Sequence, residues 1–266
     1  MCTVTFVAGL PGGGYVLTTN RDERPTRGRA HPPRIERLGG RRVALPRDAD
    51  AGGTWIAVDE HGTCLCLLNG DRAAPGVVHD PRAPSRGLLV IDLLERARPE
   101  AIPPDLQRRW TRPGPRENPF VLLVVRPGRD GARARLVRHA WDGRTLRSTA
   151  RGPRDLDTSS GVDPERVRAL RRDAFARLVP QRPGGPGASV APGEVPRLRA
   201  RLVAFHTGHE PGHAAGDAYS PCMHREDAST VSMSRVEVVD GRVSLTYRDG
   251  QPCRARAETT CRPSAS

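Results

Sequence analysis

Two β-prone runs open the chain, 2–8 (Cys-Thr-Val-Thr-Phe-Val-Ala) and 15–20 (Tyr-Val-Leu-Thr-Thr-Asn), and the glycine-rich stretch between them reads as a turn. The turn centres near residues 11 and 12, so antiparallel pairing sets residue i opposite 23 − i. Cys2 then faces Arg21, Val4 faces Thr19, Phe6 faces Leu17 and Ala8 faces Tyr15. These pairs share one face and most are apolar, which supports the register. A slip of one residue sets Asn20 opposite Cys2 instead. In either register the second strand carries Asn20-Arg21-Asp22-Glu23 back to the start of the chain.

The rest of the pattern alternates strands and helices. Thr54–Val58, a turn at 59–62 and Thr63–Asn69 predict a second hairpin. Leu88, Ile91, Leu94 and Glu95 fall at helical spacing over 85–97, and strands follow near 119–126 and 133–140. Asp163 caps a helix with Pro164 at its first position, and Val167, Leu170, Ala174 and Leu178 give it an apolar stripe to about 179. Residues 181–193 read as a mobile loop, 194–205 as a short helix, and 230–239 with 242–248 as a hairpin turning at Asp240-Gly241. Strands at both ends with helices between predict an α+β, layered arrangement of sheets against helices. One domain is expected over 1–252, with 253–266 a loose tail.

The formal charge of +13 invites a nucleic-acid reading, yet every one of the 43 basic residues is arginine and they are scattered from end to end. No basic stripe with interleaved aromatics is present, so nucleic acid is not expected as a partner. Residues 2–18 lack a basic leader, and no run approaches the 18 apolar residues of a membrane span. The six cysteines show no disulfide-framework spacing. A cytoplasmic protein with reduced thiols is the expectation.

Cys2 is the candidate nucleophile. Removal of Met1, expected ahead of a small residue, leaves a residue with both a thiol and an α-amine whose ordinary pKa is about 7.7–8.0. One residue then supplies nucleophile and general base. Arg21 favours the thiolate, Asp22 holds the ammonium or the arginine, and Asn69 or a backbone N–H receives an oxyanion. Asn20 belongs to the same cluster. The plainer reading of Asn-Arg-Asp-Glu is a strand end with a local salt bridge.

Met-Cys-Thr-Val at 1–4, Thr19-Asn20-Arg21-Asp22-Glu23, Gly52-Gly53-Thr54-Trp55-Ile56-Ala57-Val58 and Leu67-Leu68-Asn69-Gly70 resemble the transport and Golgi organisation protein 2 family, the NRDE-motif proteins. Ser220–Ser232 resembles its bacterial branch. That family is similar to N-terminal-nucleophile hydrolases of the cysteine type, such as choloylglycine hydrolases and penicillin acylases. The resemblance implies a four-layer αββα sandwich, with Cys2 as nucleophile and Arg21 and Asp22 beside it. Where the related hydrolases often place an oxyanion-hole asparagine, this chain has Asp59, whose carboxylate would repel a developing oxyanion. Hydrolysis of a small-molecule amide C–N bond needs no cofactor. The other reading is a non-catalytic carrier of haem or an acyl-lipid, since some members are associated with haem trafficking and lipid homeostasis.

His206, His209, His213, Cys222 and His224 form a second constellation, of a type that ligates zinc or haem. The glycines among them favour an exposed, histidine-bearing loop. Cys64 and Cys66 share a strand face with Trp55 and read as small core residues, Trp110 and Trp141 as core or loop anchors, and Cys253 and Cys261 fall in the tail.

Overall fold

The computed structural model describes residues 2–70, 79–96, 98, 101–109, 117–180, 189–211 and 216–264. Two antiparallel sheets face one another. The first contains β1 (Cys2–Leu10), β2 (Gly14–Glu23), β10 (Arg154–Ser159), β11 (Ser229–Val239), β12 (Arg242–Asp249) and β13 (Glu258–Cys261), in the order β10-β1-β2-β11-β12-β13. The second contains β3 (His31–Leu38), β4 (Arg41–Arg47), β5 (Ile56–Asp59), β6 (Cys64–Asn69), β7 (Phe120–Arg126), β8 (Arg135–Trp141) and β9 (Leu146–Arg151), paired in chain order. Helices α1 (Arg86–Arg96) and α2 (Ile102–Arg109) cover the second sheet, and α3 (Pro164–Leu178) and α4 (Val195–Thr207) cover the first.

Strand periodicity explains why four layers form. Successive side chains point to opposite faces, so a strand buried on both sides must be apolar, or satisfied, at every position. In β7, Val121, Leu123 and Val125 enter the core between the sheets, while Phe120, Leu122 and Val124 pack against α1 and α2. In β1, Cys2, Val4, Phe6 and Ala8 face the inter-sheet core and Val7 packs beneath α3 and α4. Each large apolar side chain so buried contributes about 1.5–3 kcal/mol. The layers are therefore αββα, as expected.

The amino-terminal hairpin has the predicted register, Cys2 opposite Arg21 through Ala8 opposite Tyr15. The carboxy-terminal hairpin turns at Asp240-Gly241, and its first strand docks on β2, so the two ends of the chain share one sheet. Cys64, Cys66 and Trp55 join the inter-sheet core. Trp141 is buried and its indole N–H donates to the Glu117 carbonyl at 3.0 Å, whereas Trp110 lies outside the described residues.

Three expectations are corrected. The tail is not frayed throughout: Glu258–Cys261 pairs with β12 as β13, with Cys261 packed against the inter-sheet core. The stripe of α3 is rotated, with Val167, Arg171, Ala174 and Phe175 buried and Leu178 exposed. A buried arginine in mid-helix hid this face from a hydrophobic count. Leu88 likewise is exposed, and α1 buries Leu89, Val90, Ile91, Leu93 and Leu94. Of the loop expected at 181–193, residues 181–188 lie outside the described residues, and the Val190 N–H donates to the Gly9 carbonyl at 2.7 Å.

Candidate active site

Cys2 heads β1 between two partners, Arg21 on β2 and Ser159 on β10. Its backbone N–H donates to Ser159 Oγ at 3.1 Å and its carbonyl accepts from Thr158 Oγ1 at 3.1 Å. The residue is 7% exposed and lies on the wall of a cleft of about 790 Å³. Arg21, Asp22, Trp55, Asn69 and Ser160 line the same cleft, whose size suits a small organic ligand.

Arg21 is fixed from three sides. Its guanidinium donates to Asp48 Oδ2 at 2.7 Å, approaches Glu23 at 3.5 Å and lies 4.6 Å over the Trp55 ring centroid. These contacts offset the rotamer entropy that a long side chain loses when it is ordered. Arg27 grips Asp48 through Nε at 3.2 Å and Nη2 at 2.7 Å. Burial works to raise the Asp48 carboxyl, but the Arg27 hydrogen bonds, the Ala51 N–H and the two guanidinium charges outweigh it and hold it below its ordinary range. Gly87, at the start of α1, lines the cleft and is approached closely by Gly53, where a Cβ would sit 2.5 Å from the Gly87 carbonyl carbon.

Asp22 is buried. Thr230 Oγ1 donates to its Oδ1 at 2.6 Å, and Oδ2 has no hydrogen-bond partner among the described residues. Burial raises its carboxyl above the ordinary value, with the nearby Arg171 charge and the Thr230 hydrogen bond acting the other way. Burial also raises the Cys2 thiol; the Asp22 carboxylate adds to this, while the Asp22 backbone N–H and the Arg21 charge oppose it.

The expected cluster is only partly assembled. Cys2, Arg21, Asp22 and Asn69 line one cleft. Asn20 does not join them, because it points to the other face of β2, where its amide donates to the His206 and Pro221 carbonyls at 2.8 Å each. Asp22 does not hold Arg21; Asp48 does. Asp59 is not at the cleft either. It closes the β5–β6 turn by accepting from the His61 and Thr63 amides at 3.0 and 2.8 Å, and it pairs with Arg41 at 3.1 Å.

Sequence reasoning missed Asp48, the cleft role of Trp55, and Arg171. Asp48 had a local signal, an Asp-x-Asp-x-Gly loop in which Asp48 accepts from the Ala51 amide at 2.8 Å. Arg171 had none. It is fully buried, reaching the Thr3 hydroxyl, Thr158 Oγ1 at 2.8 Å and the Ala218 and Ser220 carbonyls at 3.0 and 2.8 Å. Through Thr158 it braces the strand that flanks Cys2.

The histidine constellation is redrawn. His206 is buried in α4, where Nε2 meets Thr5 Oγ1 at 2.8 Å, and it takes no part; His213 lies outside the described residues. His209, Cys222 and His224 do converge, together with Cys253, so they are not a plain exposed loop. The ligand atoms of these four lie within 4.8 Å of one another.

Among solved structures, penicillin V acylase from Agrobacterium tumefaciens is similar at 12% identity and a TM-score of 0.52, over 92% of this chain and 82% of the acylase. The Caenorhabditis elegans ortholog of N-acylethanolamine-hydrolyzing acid amidase is similar at 10% identity and a TM-score of 0.53, over 90% of this chain and 93% of that one. At such identities the likeness shows the fold, that of the N-terminal-nucleophile hydrolases. No curated protein gives a significant match. The family model for Transport and Golgi organisation 2 matches residues 1–136, which contain Cys2, Arg21, Asp22 and Asn69. That match spans just over half of the 266 residues, and the chain belongs to the Transport and Golgi organisation 2 family.

Proposed function

We propose that the protein hydrolyses a C–N amide bond of a small molecule, with Cys2 as nucleophile once Met1 has been removed. One observation carries the reading: a buried carboxylate oxygen, Asp22 Oδ2, has no partner among the described residues at the cleft where Cys2 sits opposite Arg21. A buried unpaired acceptor is costly, and the α-ammonium of a processed Cys2 is a donor of the right charge for it. The acylase and amidase names of the two structural relatives support the choice of bond.

In this mechanism the Cys2 amine takes the thiol proton, and the sulfur attacks the amide carbonyl. Arg21 lowers the cost of the thiolate, and the Asn69 amide donates to the oxyanion. The ammonium then protonates the leaving nitrogen, the C–N bond breaks and a thioester remains. Water, deprotonated by the same amine, attacks the thioester, and Cys2 regains its proton as the acid leaves. Asp22 keeps the amine oriented throughout.

A second reading is a non-catalytic carrier of haem or an acyl-lipid, supported by a cleft of about 790 Å³, a size that suits a bound small molecule. The two differ in stoichiometry. Intact mass of the purified protein is expected to show loss of Met1 and a single adduct with an electrophilic amide analogue, absent in Cys2→Ala. Retention of Met1, or stoichiometric binding of the amide without turnover, overturns the enzymatic reading.

A further inference from the structure

We propose that His209, Cys222, His224 and Cys253 bind one zinc ion as a closed, structural Cys2His2 site. His224 Nε2 faces His209 Nε2 at 3.1 Å, Cys253 Sγ at 3.1 Å and Cys222 Sγ at 3.6 Å. A ring nitrogen has one in-plane lone pair or one N–H, so it cannot make three hydrogen bonds. Three heteroatoms gathered on it are the outline of a shell around a cation. Zn–S of about 2.3 Å and Zn–N of about 2.0–2.1 Å give tetrahedral edges of about 3.3–3.8 Å. The observed separations lie near that range, and all four ligand atoms lie within 4.8 Å of one another.

The donor set selects the ion. Two thiolates with two imidazoles prefer zinc to the oxygen-seeking calcium and magnesium. Four protein ligands leave no open position, which marks a structural site rather than a catalytic one. Loading the site displaces two thiol protons into solvent, and two Zn–S and two Zn–N bonds form.

The placement also gives the ion a task. His209 follows α4, Cys222 and His224 precede β11, and Cys253 follows β12, so three segments remote in sequence meet. The approach is built by Gly216, where a Cβ would sit 2.4 Å from His224 Cδ2. Between the two metal-facing residues Cys222 and His224, the Met223 N–H donates to Thr230 Oγ1 at 2.9 Å, and Thr230 donates onward to Asp22. Zinc would thus clamp the segment that orients the Asp22 carboxylate.

The test uses full-length protein without an affinity tag, incubated with zinc, desalted and assayed by elemental analysis. One zinc per chain is expected, falling at least tenfold in Cys253→Ser and in His209→Ala, and unchanged in Cys261→Ser. Cobalt in place of zinc is expected to give the visible bands of a tetrahedral thiolate site. Where Cys253→Ser fails to fold by circular dichroism, His209→Ala, at an exposed position, decides. Wild-type protein that retains no zinc, variants that retain one per chain, or a Cys222–Cys253 disulfide in the zinc-treated protein overturns the proposal.

Discussion

Thr230 Oγ1 donates to Asp22 Oδ1 at 2.6 Å, tying the end of β2 to the start of β11 at the cleft that holds Cys2. The bond joins residues from opposite ends of the chain. It satisfies one carboxylate oxygen and leaves the other, Oδ2, without a partner. The consequences of that half-satisfied carboxylate are measurable.

Asp22→Asn separates stability from activity. Burial raises the Asp22 carboxyl above its ordinary value, so the folded state binds more protons than the unfolded state between the unfolded and folded pKa values. Stability contributed by this group is therefore present below the unfolded pKa and lost as pH rises through the folded one. The asparagine variant keeps the acceptor for Thr230 and removes the charge. Its thermal midpoint is expected to exceed wild type near neutral pH, with the gain vanishing in acid, while amide turnover is lost. A midpoint lower than wild type at neutral pH contradicts this account.

Asn69 sits at the end of β6 on the cleft wall. Removing an oxyanion donor costs about 10²–10³ in kcat. Asn69→Ala is expected to fall in that range for amide hydrolysis while Cys2 still reacts with a small thiol reagent. Steady-state kinetics beside thiol labelling distinguishes loss of the donor from loss of the fold.

Arg171 supports the Cys2 strand from beneath α3. Arg171→Met leaves the Ala218 and Ser220 carbonyls and the Thr158 hydroxyl without this donor. At about 1 kcal/mol or more for each lost buried hydrogen bond, destabilisation of roughly 3 kcal/mol is expected in urea unfolding. Arg171→Lys is expected to recover little of it, since an ammonium cannot reproduce the planar fork.

His206 predicts the acid limb of stability. Burial, aided by the charges of Arg171 and Arg235, lowers it to about 3 from an ordinary 6.5. The unfolded state then binds more protons between those values, so the neutral form stabilises the fold above 6.5 and that contribution is lost as pH falls toward 3. His206→Gln is expected to flatten the decline in thermal midpoint across this interval. An unchanged slope would show that other groups set it.

Residues near in sequence or bound by strand alternation were readable without coordinates. The pairing of Cys2 with Arg21 follows from turn position and period two, and Asn69 follows from the second hairpin. The same reasoning went astray at Asn20, whose amide is spent on the His206 and Pro221 carbonyls, partners that lie far along the chain. It misjudged Asp59 too, since a turn residue looks alike in sequence whether it lines a cleft or caps its own amides.

The sequence alone determined the amino-terminal hairpin, the alternation that makes strands buried on both faces, and hence the layered fold, because those depend on local sterics and on the period of apolar residues. Tertiary structure alone decided that Asp48 holds Arg21, that Arg171 is buried beside the Cys2 strand, and that Cys253 meets His209, Cys222 and His224. Those contacts join segments whose separation along the chain carries no periodic signal. Charge pairing and ligand convergence depend on distance in space, which the order of residues does not encode locally.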